Sequence, residues 1–322
     1  MKFHFNKKSL IAWWKILKAA FTGFAADKGM KLSASLAYTT IFSLGPMLLF
    51  IMSISSIFFG QEASEGKIFA ELNGFLGATA AQQIQDVIQN INLSGKTHFA
   101  LIISTITLLV GATSLFVEIQ DSLNMIWRVK PKPKKGWLQF LKNRLQSASL
   151  IISLGFLLVV SLLINGLVDA FSHILTRYFS DGTVMVMNGF NFLLTMGIIT
   201  VLFAIIFKVL PDAKIGWRHV RAGAFFTAIL FMIGRYLIGV YIKNAAAVSM
   251  YGAAGSLIVI LVWVYYTSAI LYLGAEFTEA YTEASGSKIK PADYAVHVEQ
   301  REVEHKVDAL PLQHQELKED KI

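Results

Sequence analysis

Six uncharged apolar runs divide the chain, at roughly residues 32–59, 99–117, 147–168, 184–207, 222–242 and 253–275, and the one charge inside any of them is Arg235. Each is close to or above the ~20 residues that carry a helix, at ~1.5 Å rise per residue, across ~30 Å of hydrocarbon. The pattern predicts an all-α fold: a polytopic membrane bundle of six transmembrane helices. The clearest run is YGAAGSLIVILVWVYYTSAILYLGAEF, residues 251–277, uncharged until Glu276, which is read as the point where the sixth span leaves the bilayer.

The segments between the runs have patterns of their own. Leu10, Trp13, Trp14, Leu17, Phe21 and Phe24 recur at helical spacing, with Lys7, Lys8, Lys15 and Lys18 mostly off that stripe. Two arrangements fit: a helix lying in the membrane interface with its lysines toward anionic head groups, or a helix packed on the cytoplasmic ends of the bundle. In loop 60–98, Ile84, Val87, Ile88 and Ile91 predict one or two amphipathic helices resting on the outer face, a lid over a cavity being the sharper alternative. Past residue 285 the chain is charged and poor in apolar residues, which predicts disorder. The resulting division is an amphipathic cytoplasmic segment 1–31, a transmembrane domain 32–278 and an acidic, disordered cytoplasmic tail 279–322.

Charge orients the spans. Seven Lys/Arg precede the first span, seven lie in 118–146 and four in 208–221, whereas 60–98, 169–183 and the last short loop hold two, one and one. Basic and poor segments alternate, which the positive-inside rule reads as six spans with both termini cytoplasmic. The net charge of +8 is therefore a topological signal, and neither a helix-turn-helix nor an aromatic β pattern accompanies it to suggest nucleic acid as a partner. Composition agrees, since 55% of the 322 residues are hydrophobic, only 16% are charged and the mean hydropathy is +0.55. Without cysteine there is no disulfide framework, thiolate metal site or cysteine nucleophile.

The stretches GATSLFVEIQDSLNMIWRVKPKP (111–133), LPDAKIGWRHVRAGAFFTAILFMIGRYLIGVYI (210–242) and 251–277 resemble the YihY/BrkB family of bacterial inner-membrane proteins, over roughly residues 25–282. The resemblance implies a polytopic helical bundle in the bacterial inner membrane. It also brings an old label, ribonuclease BN, and associations with serum resistance and with envelope lipid or small-molecule transport. The nuclease label finds no support in the residues: His4, His98, His173, His219, His297, His305 and His314 form no HxH or HxxxH pair, and a metal-dependent nuclease needs several converging ligands. No GxSxG elbow and no nucleotide-binding motif is present. The expectation is a protein that is not an enzyme, with no cofactor and no metal, whose partners are membrane lipids.

Polar residues at membrane depth are functional candidates, because a charge there costs ~2.5 kcal/mol or more on insertion scales. Arg235, with Asn165, Asp169, Asn188 and Asn191 in the same outer half, is the candidate site for an anionic substrate, since a guanidinium fork suits phosphate; a structural Arg235–Asp169 pair is the alternative. Glu118, Asp121, Asn124 and Glu276 gather at the cytoplasmic mouth, either as a gate or ion-coupling group or as counter-charges to Lys208, Arg128 and Arg221. Gly45-Pro46 predicts a kink in the first span. Gly252 to Ser256 predict close helix approach, and the mid-depth Tyr265 and Tyr266 hydroxyls need partners, either Ser33, Ser35 or Thr39 of the first span or a wet cavity. Two functions are consistent with this pattern: a passive or ion-coupled transporter or translocase of an anionic envelope lipid or small amphiphile, and a non-catalytic scaffold that maintains envelope integrity.

Overall fold

The computed structural model describes residues 7–42, 114–132, 181–244 and 253–299. The spans expected at 147–168 and in most of 32–59 and 99–117, the loop 60–98, the Gly45-Pro46 kink, Asn165 and Asp169 lie outside the described residues.

Six helices and four short strands are described: α1 (Lys7–Ala26), α2 (29–42), α3 (114–126), β1 (Val129–Pro131), α4 (Asp181–Val209), β2 (Ala213–Lys214), α5 (Trp217–Asn244), α6 (Ala253–Ala284), β3 (Lys290–Pro291) and β4 (Ala295–His297). Three of the helices contain stretches long and apolar enough to cross a membrane: Phe192–Val209, Trp217–Ile238 and Ile260–Ala284. These correspond to the fourth, fifth and sixth predicted spans. The sixth runs further than expected, because Glu276, Thr278 and Thr282 are buried and the helix continues past them.

Helix ends follow from local chemistry. α4 stops two residues before Pro211, where the ring removes a donor and disfavours helical geometry in the residue before it. α6 ends at Gly286, whose φ of 76° is a conformation glycine adopts without a side-chain clash. Ser287 N–H then reaches Thr282 C=O at 3.1 Å and Gly286 N–H reaches Glu283 C=O at 2.9 Å, the paired bonds of a Schellman cap.

α6 is the hub, packed against both α5 and α1, while α4 packs on α5. The α5–α6 seam is close because each helix offers a glycine to a threonine of the other: Gly223 lies under Thr278 and Gly274 under Thr227. Both threonines turn their hydroxyls back to their own helix, Thr227 to Gly223 C=O and Thr278 to Gly274 C=O, each at 2.7 Å, so no polar atom is stranded in the seam. This close approach is thus made between the first half of α5 and the last third of α6; the side chains of Gly252 to Ser256, where it was expected, lie outside the described residues.

The core is densest at the end of the bundle where α3 terminates, α4 meets α5, and α6 ends; we call it the basal end. Leu123, Ile126, Trp127, Phe207, Val220, Tyr272 and Ala275 are all buried there, and Trp127 Nε1–H donates to Ala275 C=O at 3.2 Å. α1 also packs at this end, where Trp13 stacks on Phe277 and Tyr281 with centroids 6.1 and 6.0 Å apart. The apolar stripe read from the N-terminal sequence is therefore split. Trp13 and Leu17 face the bundle, as in the packed arrangement, while Trp14 and Phe21 point outward beside Lys15 and Lys18.

The tail departs from expectation as far as residue 299. Instead of disorder, β4 pairs antiparallel with β1 (Val129↔His297, Lys130↔Val296, Pro131↔Ala295) and β3 with β2 (Ala213↔Pro291, Lys214↔Lys290). Composition alone misses this, because the segment contributes backbone hydrogen bonds, Ile289 and Tyr294 to surfaces formed elsewhere.

Candidate functional site

The basal end is organised around one buried carboxylate. α4 ends in Leu210-Pro211-Asp212, and the chain turns beneath the helix so that the Lys208 ammonium caps Ile215 C=O and lies 5.7 Å from the centroid of the Trp217 ring. Asp212, only 2% exposed, is thereby pressed against α3. Asn124 meets it with a reciprocal pair: Asn124 Nδ2–H donates to Asp212 Oδ2 and Asp212 N–H donates to Asn124 Oδ1, both at 2.8 Å. Gln120, one turn earlier on the same face of α3, donates to both carboxylate oxygens at 3.2 Å. Tyr294 Oη–H donates to Oδ1 at 2.7 Å, and Ala292 N–H donates to Asp212 C=O at 2.9 Å.

Asp212 thus has hydrogen bonds on its N–H, its C=O and both carboxylate oxygens, with neutral side-chain donors supplying the carboxylate. A buried charge is tolerated when it is fully hydrogen-bonded. Burial, the hydrogen bond to Asp212 and the negative charge of Asp212 together push the Tyr294 phenol well above its ordinary value. Asp121 is exposed at the rim. Partial desolvation there still pushes its carboxyl above the usual carboxylate range, with the charges of Glu118 and Asp212 acting in the same sense.

A second cluster lies where α1 turns into α2. Arg128, at φ 54°, sends its guanidinium 2.8 Å to Asp27 Oδ1 and offers its own C=O to Val298 N–H at 2.9 Å. Glu276, 5% exposed, is fitted over Gly23, where an added Cβ would come within 2.3 Å of Oε2. Its charged neighbours are Asp27, Glu279 and Arg128.

Of the four residues expected at the mouth, Asn124 joins Asp212, Glu118 lies near Asp121 and Tyr272, and Glu276 turns to Gly23 and Asp27. The cytoplasmic group expected from sequence is therefore divided between two clusters. Gln120, Asp212 and Tyr294 were not singled out from sequence. The available signals were an acid directly after a proline in a basic loop, and a glutamine one helical turn from Asn124. Tyr265 does not take one of the serines or threonines expected. Tyr265 reaches Met30 Sδ at 3.4 Å, Ser33 donates to Gly29 C=O at 2.7 Å, and Tyr266 lies against Gly234.

The outer group is placed by the backbone. α4 and α5 are packed neighbours joined by a short turn, so they run antiparallel. At ~1.5 Å per residue Arg235 stands about 27 Å above the start of α5, and Asn191 and Asn188 about 27 and 32 Å above the end of α4. Arg235 and Asn191 share one level, with Asn188 about one turn above it. Arg235 is half-buried and flanked by the exposed Ile233, Tyr236 and Leu237.

Long apolar helices, a glycine-lined seam and a charge held within an apolar stretch define a helical membrane protein. The chain belongs to the virulence factor BrkB family, whose model matches residues 20–296, and the resemblance read from sequence is thereby upheld. It is similar to UPF0761 membrane proteins of Azotobacter vinelandii, 27% identical over 270 residues (82% of this chain, 62% of the relative), and Alkalilimnicola ehrlichii, 27% identical over 285 residues (84% and 58%). A third, from Pseudoalteromonas atlantica, is 27% identical over 261 residues (80% and 83%). The chain spans about three-fifths of the length of the first two relatives. No solved structure matches it.

Proposed function

We propose that this chain is a six-span protein of the bacterial inner membrane with both termini in the cytoplasm. In this reading it is a non-enzymatic transporter or translocase that moves an anionic envelope lipid or small amphiphile, passively or coupled to an ion. The observation that carries this reading is the half-buried Arg235 within the apolar stretch Trp217–Ile238, near the level of Asn188 and Asn191 on the neighbouring helix. A cation at that depth costs ~2.5 kcal/mol or more on insertion scales. A planar fork, with two asparagine positions near its level on the neighbouring helix, is chemistry suited to a phosphate or carboxylate entering from the bilayer. The basal clusters around Asp212 and Glu276 then stand at the opposite, cytoplasmic mouth.

The test is transbilayer movement of fluorescent phosphatidylglycerol in vesicles containing the full chain, read as loss of protection from an external quencher. Arg235→Gln is expected to lower the rate at least about tenfold, equivalent to ~1.4 kcal/mol, with the melting temperature unchanged. Movement at the wild-type rate in the variant rejects the site. Absence of movement in the wild type rejects this substrate and moves the reading to a scaffold of the envelope.

A further inference from the structure

Two neighbouring helices bring their exposed cations to one level of the fold. α1 runs along the last turns of α6, where Ile16 and Ala20 are buried with Phe277 and Trp13 stacks on Tyr281. α5 begins at the same level, since Gly223 meets Thr278 and His219 Nε2 is 2.9 Å from Ser285 Oγ. Phe226 of α5 stacks on Phe277 at 3.9 Å, joining the two helices across α6. Their inner faces are thus occupied, and their outward faces carry Trp14, Lys15 and Lys18 on α1 and Trp217, Arg218 and Arg221 on α5, all exposed. Neither helix contains an aspartate or glutamate.

We propose that these six side chains form a basic-aromatic collar that binds the head groups of anionic phospholipid and so holds α1 against the bundle. The surface fits a bilayer for three reasons. The collar surrounds the end of the apolar stretch Ile260–Ala284, where a membrane-spanning helix meets the head groups. Indole rings partition to that boundary, and lysine and arginine stems run along apolar surface while their charges reach phosphate. A second copy of the chain meeting the same face would set cations against cations, because a two-fold contact is self-complementary only when its charges are.

The collar rests on the membrane placement proposed above but not on transport. It lies at the start of α5, about 27 Å along the helix from Arg235. The experiment is native mass spectrometry of the full chain released from membranes of equal phosphatidylcholine and phosphatidylglycerol. Wild type is expected to retain phosphatidylglycerol over phosphatidylcholine by about tenfold, given the attraction of several juxtamembrane cations to anionic lipid. Lys15→Gln/Lys18→Gln/Arg218→Gln/Arg221→Gln is expected to lose most of this preference, what remains being lipid held at Arg235. The two double variants, each with the wild-type melting temperature, should lose part of the preference and so separate lipid binding from misfolding.

The same four substitutions made in Arg235→Gln, where any lipid held at the outer site is already lost, should abolish the preference entirely, so the two proposals fail independently. The collar is overturned if wild type shows no preference or if the quadruple substitution leaves the preference undiminished. Loss of preference in Arg235→Gln alone would place the lipid at the outer site and overturn the collar equally. A dimer that buries Trp14 and excludes lipid would also overturn it.

Discussion

Tyr294 Oη–H donates to Asp212 Oδ1 at 2.7 Å across 82 positions of sequence, fastening the segment after α6 to the turn between α4 and α5. A hydrogen bond to a charged acceptor contributes ~1.5–3 kcal/mol, and the partial exposure of Tyr294 favours the lower end. Tyr294→Phe should cost about 1.5 kcal/mol and speed amide exchange in 290–297, leaving α5 and α6 unaffected. Asp212→Ala, which strands Asn124 and Gln120 as well, should cost more, about 3 kcal/mol. Unchanged exchange in 290–297 for both variants would mean that strand pairing alone holds the segment.

The same contact predicts a pH response in the alkaline range. The folded phenol titrates above its unfolded value of ~10 because of burial and the neighbouring Asp212. Its contribution is therefore fully present below that unfolded value and is lost as pH rises through the folded one. Tyrosine absorbance should show phenols that resist ionisation, and Tyr294→Phe should remove one of them from the titration.

Gly274→Ala tests the α5–α6 seam. The new Cβ would fall 1.9 Å from Thr227 Oγ1 and 2.9 Å from its Cβ, so the stem of the threonine must move as well as its tip. Overpacking costs ~1–3 kcal/mol, against a helix-propensity gain of ~1 kcal/mol. A net loss of about 1 kcal/mol or more in the detergent melt is expected, and Gly274→Ala/Thr227→Ala should recover most of it. No comparable penalty is expected at Gly189 or Gly197, where an added Cβ meets nothing within 4 Å.

Trp127→Phe removes the indole donor that ties the end of α3 to Ala275 C=O at 3.2 Å and leaves a gap beside Phe207, 6.4 Å away between ring centroids. A loss of about 2 kcal/mol follows from the missing bond and the void. Trp14→Phe, on the exposed face of α1, should leave the melting temperature unchanged.

Arg128 combines a left-handed backbone, φ 54°, with an ion pair to Asp27 that leaves its own side chain 37% exposed. A half-exposed pair contributes no more than ~1 kcal/mol, while an L-residue in that conformation costs ~1–2 kcal/mol. Arg128→Gly should therefore melt within about 1 kcal/mol of wild type and above Arg128→Ala, which loses the pair and keeps the strain. The reverse order would show that the ion pair dominates the turn.

The long apolar runs, the charge alternation and the specific stretches at 111–133 and 210–277 were enough to read a helical membrane protein of this family, because an uncharged run of membrane length has few other ways to be solvated. The helices α4, α5 and α6 contain the predicted spans, with α5 starting earlier and α6 ending later than expected. The neighbours of each polar side chain were not legible. Glu118, Asn124 and Glu276 are near the same end of the bundle, but which of them meets Asp212, Gly23 or Asp27 depends on how α3 and α6 are rotated about their axes. That rotation is set by packing contacts such as Gly274 on Thr227 and Trp127 on Ala275. Residues 286–299 read as solvent-exposed chain because their partners, Asp212 and the edges at 129–131 and 213–214, come from distant sequence. Composition records what a segment can bury by itself. Only the tertiary structure decides what another segment offers it.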